Sequence, residues 1–241
     1  NFARASQVAK QSLVWSVILS IPLIIIGLVA ADQLVSIFGL EPAVATIGAD
    51  YLRVTMGTVA VLTLLILGGG VLRGAGDSRT PMMVTALANV LNVFLAYGLI
   101  YGAWGLPQMG AVGSAWATFL ARSVALVLLL RALWRGSNGV SLQGEGRWWP
   151  QWYMARQVLK IGVPAALEQV LMNLAFLAFT IVISHLGTHV LAAQRIAMNA
   201  MSLSFLPGFG FAIAATALVG QSIGARRPAE GAAIAKIATL W

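Results

Sequence analysis

The chain has 241 residues, of which 59% are hydrophobic and only 9% charged. Soluble domains carry roughly 25% charged residues, so this composition excludes a soluble globular class and reads as a polytopic membrane protein. The net charge of +8 would suit nucleic acid, but the basic residues fall in short loops between apolar runs, where orientation signals sit. With no cysteine, a disulfide framework, a thiolate metal site and a cysteine nucleophile are excluded as well.

A spanning helix needs about 20 mostly apolar residues. Six runs meet this in chain order: 13–31, 52–72, 81–102, 111–134, 159–186 and 190–220, with a seventh starting near Ala229. The second run ends in "GGGVLRGAGDSRTPMMV", 68–84. A phosphate loop would need Gly-Lys-Ser/Thr after the glycines, and Asp77-Ser78 follows instead. Residues 73–80 therefore read as a short basic turn. Gly74 and Gly76 permit tight backbone there, and Asp77 or Ser78 can cap a helix starting near Pro81.

The third run carries Thr85, Asn89, Asn92 and Ala96 at i, i+4, i+7 and i+11, which is one helical face. After the fourth run comes the longest polar connection, "GEGRWWPQWYMAR", 144–156. Trp interleaved with Arg could stack on nucleic acid, but the headgroup layer selects the same mixture. We read it as interfacial and as the boundary between two bundles. The expected division is 1–136, a cytoplasmic linker 137–156, and 157–241.

On the fifth run Gln169, Asn173, Thr180 and Ser184 share a face, with Glu168 beside it. A carboxylate inside a span costs about 2.5–3.5 kcal/mol on insertion scales, and such groups mark ion or proton paths. Glu168 is the only acid placed inside a run. Pro164, four residues earlier, frees the carbonyl of Lys160 and lets the helix bend. A structural ion pair with Arg195 or Arg122 is the alternative role. The sixth run places Arg195, Asn199 and Ser202 on one face and is interrupted by "LPGFG", 206–210, where Pro207 predicts a kink or break. These polar stripes fit cavity lining and interhelical hydrogen bonding equally.

His185 and His189 have the i, i+4 spacing of a metal pair, but Gly187 lies between them, so they read as interfacial and no metal site is expected. No His-Glu-x-x-His, Ser-His or Gly-x-Ser-x-Gly pattern occurs. No residue is expected to be catalytic, and the chain is not expected to be an enzyme.

One side of the predicted topology collects Arg4, Lys10, Arg73, Arg79, Arg131, Arg135, Arg147, Arg156, Lys160, Arg226, Arg227 and Lys236. The other holds Asp32, Glu41 and Asp50 against Arg53. The basic side is therefore cytoplasmic. The chain lacks an initiating Met, and Trp241 falls within an apolar segment, which reads as a fragment of a longer protein. "ARASQVAKQSLVW" (3–15) aligns with "AEGAAIAKIATLW" (229–241) without a gap, matching at Ala3, Ala9, Lys10 and Trp15. Such a repeat predicts a two-fold tandem of parallel six-span halves, an arrangement of transporters that bind substrate between the halves.

"LRGAGDSRTPM" (72–82), "GAVGSAWAT" (110–118), "GVPAALEQ" (162–169), "LAAQRIAMN" (191–199) and "ATALVGQSIGA" (215–225) together resemble the multidrug and toxic compound extrusion (MATE) transporters. The resemblance implies an all-α, twelve-helix, two-lobe fold, of which this chain supplies N-lobe helices three to six, the linker, helices seven and eight, and the start of nine. It implies a multi-pass protein of the cell membrane, a bacterial inner membrane, acting as a monomer of the full-length chain. The implied function is antiport of drugs or other amphiphilic, often cationic compounds against H+ or Na+, with no other cofactor and no nucleic acid. A lipid-linked oligosaccharide flippase of the same superfamily and a non-transporting membrane scaffold are the alternatives.

The family's N-lobe cation site maps its Asn onto Asn92 and its Thr onto Thr118. Its helix-five Asp would fall at Ala96, and its helix-one Asp lies outside the chain, so the site is partial. Glu168 matches members with an acid four residues after the helix-seven proline, others placing it at the position of Met172. Arg195 stands where many members have Gln. The implied coupling set is Glu168, Asn92 and Thr118. The implied cavity lining is Gln169, Asn173, Thr180, Asn89, Asn199 and Arg195, with Pro164 and Pro207 as hinges or kinks.

Overall fold

The computed structural model describes residues 2–37, 41–136, 140–143, 148–184 and 188–240. Its regular elements among these residues are helices: α1 (Phe2–Val29), α2 (Ala31–Ser36), α3 (Pro42–Gly57), α4 (Val59–Gly74), α5 (Arg79–Tyr101), α6 (Gly110–Arg135), α7 (Trp152–Ser184), α8 (Thr188–Gly224) and α9 (Pro228–Leu240). Among the described residues six segments are long and apolar enough to cross a membrane: Ala5–Val29, Pro42–Gly74, Arg79–Tyr101, Gly110–Arg135, Trp152–Ile183 and Ala193–Gly224. The second starts ten residues before the expected 52. Pro42 at the first helical position fixes φ for helix entry, and α3 runs into α4 with a small offset at Thr58. There the Thr58 N–H and hydroxyl both donate to the Thr55 carbonyl, at 3.1 and 2.7 Å, diverting the ladder from its i−4 partner.

The chain divides into two compact units, Asn1–Gln151 and Trp152–Trp241. In the first, Leu13 of α1, Leu72 of α4, Val84 of α5, Ala125, Leu129 and Leu133 of α6, and Leu142 form one buried cluster. Helices α5 and α6 meet through small residues. A Cβ on Gly113 would lie 2.5 Å from the Leu99 carbonyl oxygen, and Ala115, Ala117 and Ala121 are buried along the same helix. In lipid, such close packing is itself the driving force for association. Gly68 of α4 approaches α6 similarly, its notional Cβ 2.4 Å from Leu129 Cδ2.

The turn after α4 closes by two backbone bonds, Gly76 N–H to Arg73 O at 3.0 Å and Asp77 N–H to Leu72 O at 2.9 Å. This is the Schellman pattern, with Gly76 left-handed at φ +89. Of the two expected caps, Asp77 acts: its carboxylate accepts from the Thr80 N–H at 3.0 Å and the Thr80 hydroxyl at 2.7 Å. Ser78 occupies the N-cap position without a side-chain bond.

Residues beyond α6 fold back onto α1. The Gln11 amide donates to Trp149 O at 2.8 Å and accepts from Gln151 N–H at 2.8 Å. Gln7 Nε2 donates to Gln151 Oε1 at 3.1 Å, and Ser141 N–H donates to Ser6 Oγ at 3.2 Å. Lys10 Nζ lies 5.7 Å from the centre of a Trp148 ring, a cation–π contact. Lys10 and Gln11 are each 2% exposed.

In the second unit α8 packs mainly on α9. Their turn repeats the Schellman pattern, with Arg226 N–H to Ile223 O at 3.0 Å and Arg227 N–H to Ser222 O at 2.9 Å. Here a non-glycine, Arg226, takes the left-handed position at φ +60. The break expected at 206–210 does not occur: α8 runs continuously through Pro207, as α7 does through Pro164. Each proline removes one backbone donor from its helix.

Candidate functional site

The first cluster of candidate residues lies where α5 and α6 pack. Asn92 Nδ2 donates to Thr118 Oγ1 at 3.2 Å, and that hydroxyl gives its own proton to Ser114 O at 2.9 Å. The bonds thus form a relay, and the oxygen left to meet a cation is the Asn92 carbonyl. Hard cations take such oxygen ligands. Asn92, Ala96 and Thr118 are half-buried, while Asn89 and Thr85 continue the same stripe exposed. Ala96, one turn beyond Asn92, contributes no side-chain oxygen. Half-buried Arg122 follows Thr118 by one turn on α6, so the neighbourhood carries a fixed positive charge.

The second cluster belongs to the other unit. On α7, Glu168, Gln169 and Asn173 are exposed, as is Pro164 one turn before the acid. Thr180 Oγ1 is turned inward onto its own helix, donating to Phe176 O at 2.8 Å. On α8, Arg195 and Asn199 are exposed, and Ser202 Oγ donates to Asn199 O at 2.7 Å. Ion pairs among the described residues join Arg53 to Asp32 and Asp50, and Arg227 to Glu230. Glu168 and Arg195 are not joined, so the structural pairing proposed for them is not formed within this unit. His185 lies outside the described residues, and His189 is exposed at the start of α8. Among the described residues no three potential ligands gather for a metal ion.

One buried polar contact was missed from sequence. Ser20 Oγ, 1% exposed, donates to Ser16 O at 2.6 Å and lies 2.9 Å from Thr63 Oγ1, tying α1 to α4. Its signal was present as Ser16 and Ser20 at i, i+4 within an apolar run, and went unread because neither residue is charged.

The sequence pattern described as MatE matches residues 1–98 and 164–241. A probable multidrug resistance protein NorM from Thermotoga maritima is 37% identical over 192 residues, covering 79% of this chain and 41% of that protein. The probable multidrug resistance protein YoeA of Bacillus subtilis is 27% identical over 227 residues, covering 93% and 49%. Among solved structures, a MATE protein crystallised with MaD5 superposes with a TM-score of 0.86 at 27% identity, over 97% of this chain and 52% of that one. A MOP superfamily transporter from Pyrococcus furiosus gives 0.82 at 26% identity, over 97% and 51%. The chain spans about half the length of the relatives it matches.

Proposed function

Because this chain belongs to the MatE family, we propose that it is part of a secondary active antiporter. The full-length protein exports drugs or other amphiphilic, often cationic compounds by alternating access between two lobes, in exchange for H+ or Na+, and works as a monomer. The observation that carries the coupling assignment is Glu168. It is a carboxylate on a long apolar helix, next to Gln169 and one turn before Met172-Asn173. Charge inside a span is expensive, so a group that releases and regains a proton links ion entry to a change in local electrostatics. Asn92 and Thr118 offer neutral oxygens only, with Ala96 in place of an acid, which favours H+ at Glu168 over Na+ at the first cluster.

Transport by the full-length protein in proton-loaded vesicles tests this. Glu168→Gln keeps size and hydrogen bonding but cannot exchange a proton, so ion-driven export is lost while membrane expression is retained. Export at the unmodified rate at both acidic and neutral pH would make Glu168 structural.

Arg195 supports a second reading. A guanidinium on the polar face of α8 suits an anionic group, as a lipid-linked oligosaccharide flippase would require. Stimulated uptake of a lipid-linked sugar phosphate, lost in Arg195→Gln, would favour that reading over drug export.

A further inference from the structure

Two adjoining hollows lie at the basic end of the first unit. One, of about 260 Å³, is lined by Leu13, Val14 and Val17 of α1, Leu64 of α4, Leu130 and Trp134 of α6, with Leu142 and Trp148 closing it. The other shares Leu130 and Trp134 and is bordered by Arg131 and Arg135. Both hollows of the combined groove are almost wholly apolar inside, and Arg131 and Arg135 border the second with their aliphatic stems. Trp134 and Trp148 are about half exposed, and Trp149 is more so, as expected of aromatic rings in the headgroup layer.

The wall supplied by the returning segment is built rather than incidental. Leu142 is 4% exposed and its N–H donates to Leu133 O at 3.1 Å. Trp148 is held over Lys10, and the backbone on either side of Pro150 is clamped by the buried Gln11 amide. The arginines sit at i, i+4 on α6, flanking Trp134, so both guanidinium groups rise from one face.

We propose that this groove is a binding site for an anionic phospholipid of the cytoplasmic leaflet. One acyl chain lies along Leu13, Val17 and Leu64, and the phosphate is held at Arg131 and Arg135. Charge complementarity selects this occupant. The mouth carries two permanent cations, while the acids of the described first unit lie elsewhere: Asp32, Glu41 and Asp50 beside the opposite ends of α1 and α3, and Asp77 engaged by Thr80. Guanidinium forks match phosphate geometry, and basic pockets between helices on the cytoplasmic side recognise anionic headgroups. None of its residues belongs to either candidate cluster.

The test is native mass spectrometry of the full-length protein, extracted and incubated with phosphatidylglycerol or phosphatidylcholine of the same chain length. The unmodified protein should retain phosphatidylglycerol selectively. Retention should fall roughly tenfold or more in the Arg131→Gln/Arg135→Gln pair, survive in the Arg131→Lys/Arg135→Lys pair, and be unchanged by Arg79→Gln on the neighbouring turn. Gln11→Leu, which releases the wall, should weaken it with the arginines intact. Equal retention of both lipids overturns the proposal, as does a loss in Arg79→Gln matching that of the double variant. So does a photoreactive phenylalanine analogue at position 14 that cross-links to protein instead of lipid, which would mean another helix fills the groove.

Discussion

Helices α5 and α6 form a pair in which polar groups are spent on each other, whereas α7 and α8 carry theirs outward. In the first pair Gly113 lets the backbones touch, alanines fill the seam, and Asn92 and Thr118 are joined across it. In the second pair Glu168, Gln169, Asn173, Arg195 and Asn199 stand exposed on helices whose apolar faces are also largely exposed. Hydrogen bonds across a helix seam in lipid contribute only about 0.6–1.7 kcal/mol each, and backbone proximity supplies the rest. The lesson is that similar polar stripes on two helices have different meanings. Where small residues permit close approach, Asn and Thr lock a seam. On α7 and α8 the same chemistry stands exposed among the described residues.

The strongest way to break this contrast is Gly113→Leu. No rearrangement within α6 spares the Leu99 carbonyl, so the α5–α6 seam must open. Loss of monodisperse protein on size-exclusion chromatography is expected, and a normal profile would show the seam to be loose. Thr118→Val is milder. It removes the acceptor for Asn92 and the donor to Ser114 without changing shape, lowering thermal stability by an amount consistent with about 1–2 kcal/mol. The smallest effect sharpens the other side. A Cβ at Gly162 of α7 meets nothing within 4 Å, so Gly162→Ala should stabilise slightly, by about 0.5–1 kcal/mol through helix propensity. A destabilising result in the full-length protein would show that α7 is packed there by a helix beyond this chain.

The apolar runs were legible because length and composition alone define a span; the family motif picked out Asn92 and Thr118, and their hydrogen bond to each other is a finding of the structure. Boundaries were less so. The start at Pro42 was missed because Asp50 interrupts the hydropathy, yet α3 offsets that charge by pairing Arg53 with Asp32 and Asp50. At Pro207 the helix continues without a break, and a proline within a long helix removes one bond at that turn. The grip of the residues around Pro150 on α1 had no local signal. Gln11 and Gln151 are 140 positions apart, and neither residue type announces a partner at that distance.

That separation also sets an order of events during synthesis. Helices α5 and α6 are neighbours in sequence, joined by a short connection in which Met109 N–H returns to Leu99 O at 2.8 Å, so they can leave the ribosome and pair at once. The Gln11 clamp must wait for Trp149, 138 residues later. At about 5–20 residues per second this delay is roughly 7–28 s. The clamp on α1 is therefore closed by the last stretch of chain made before α7.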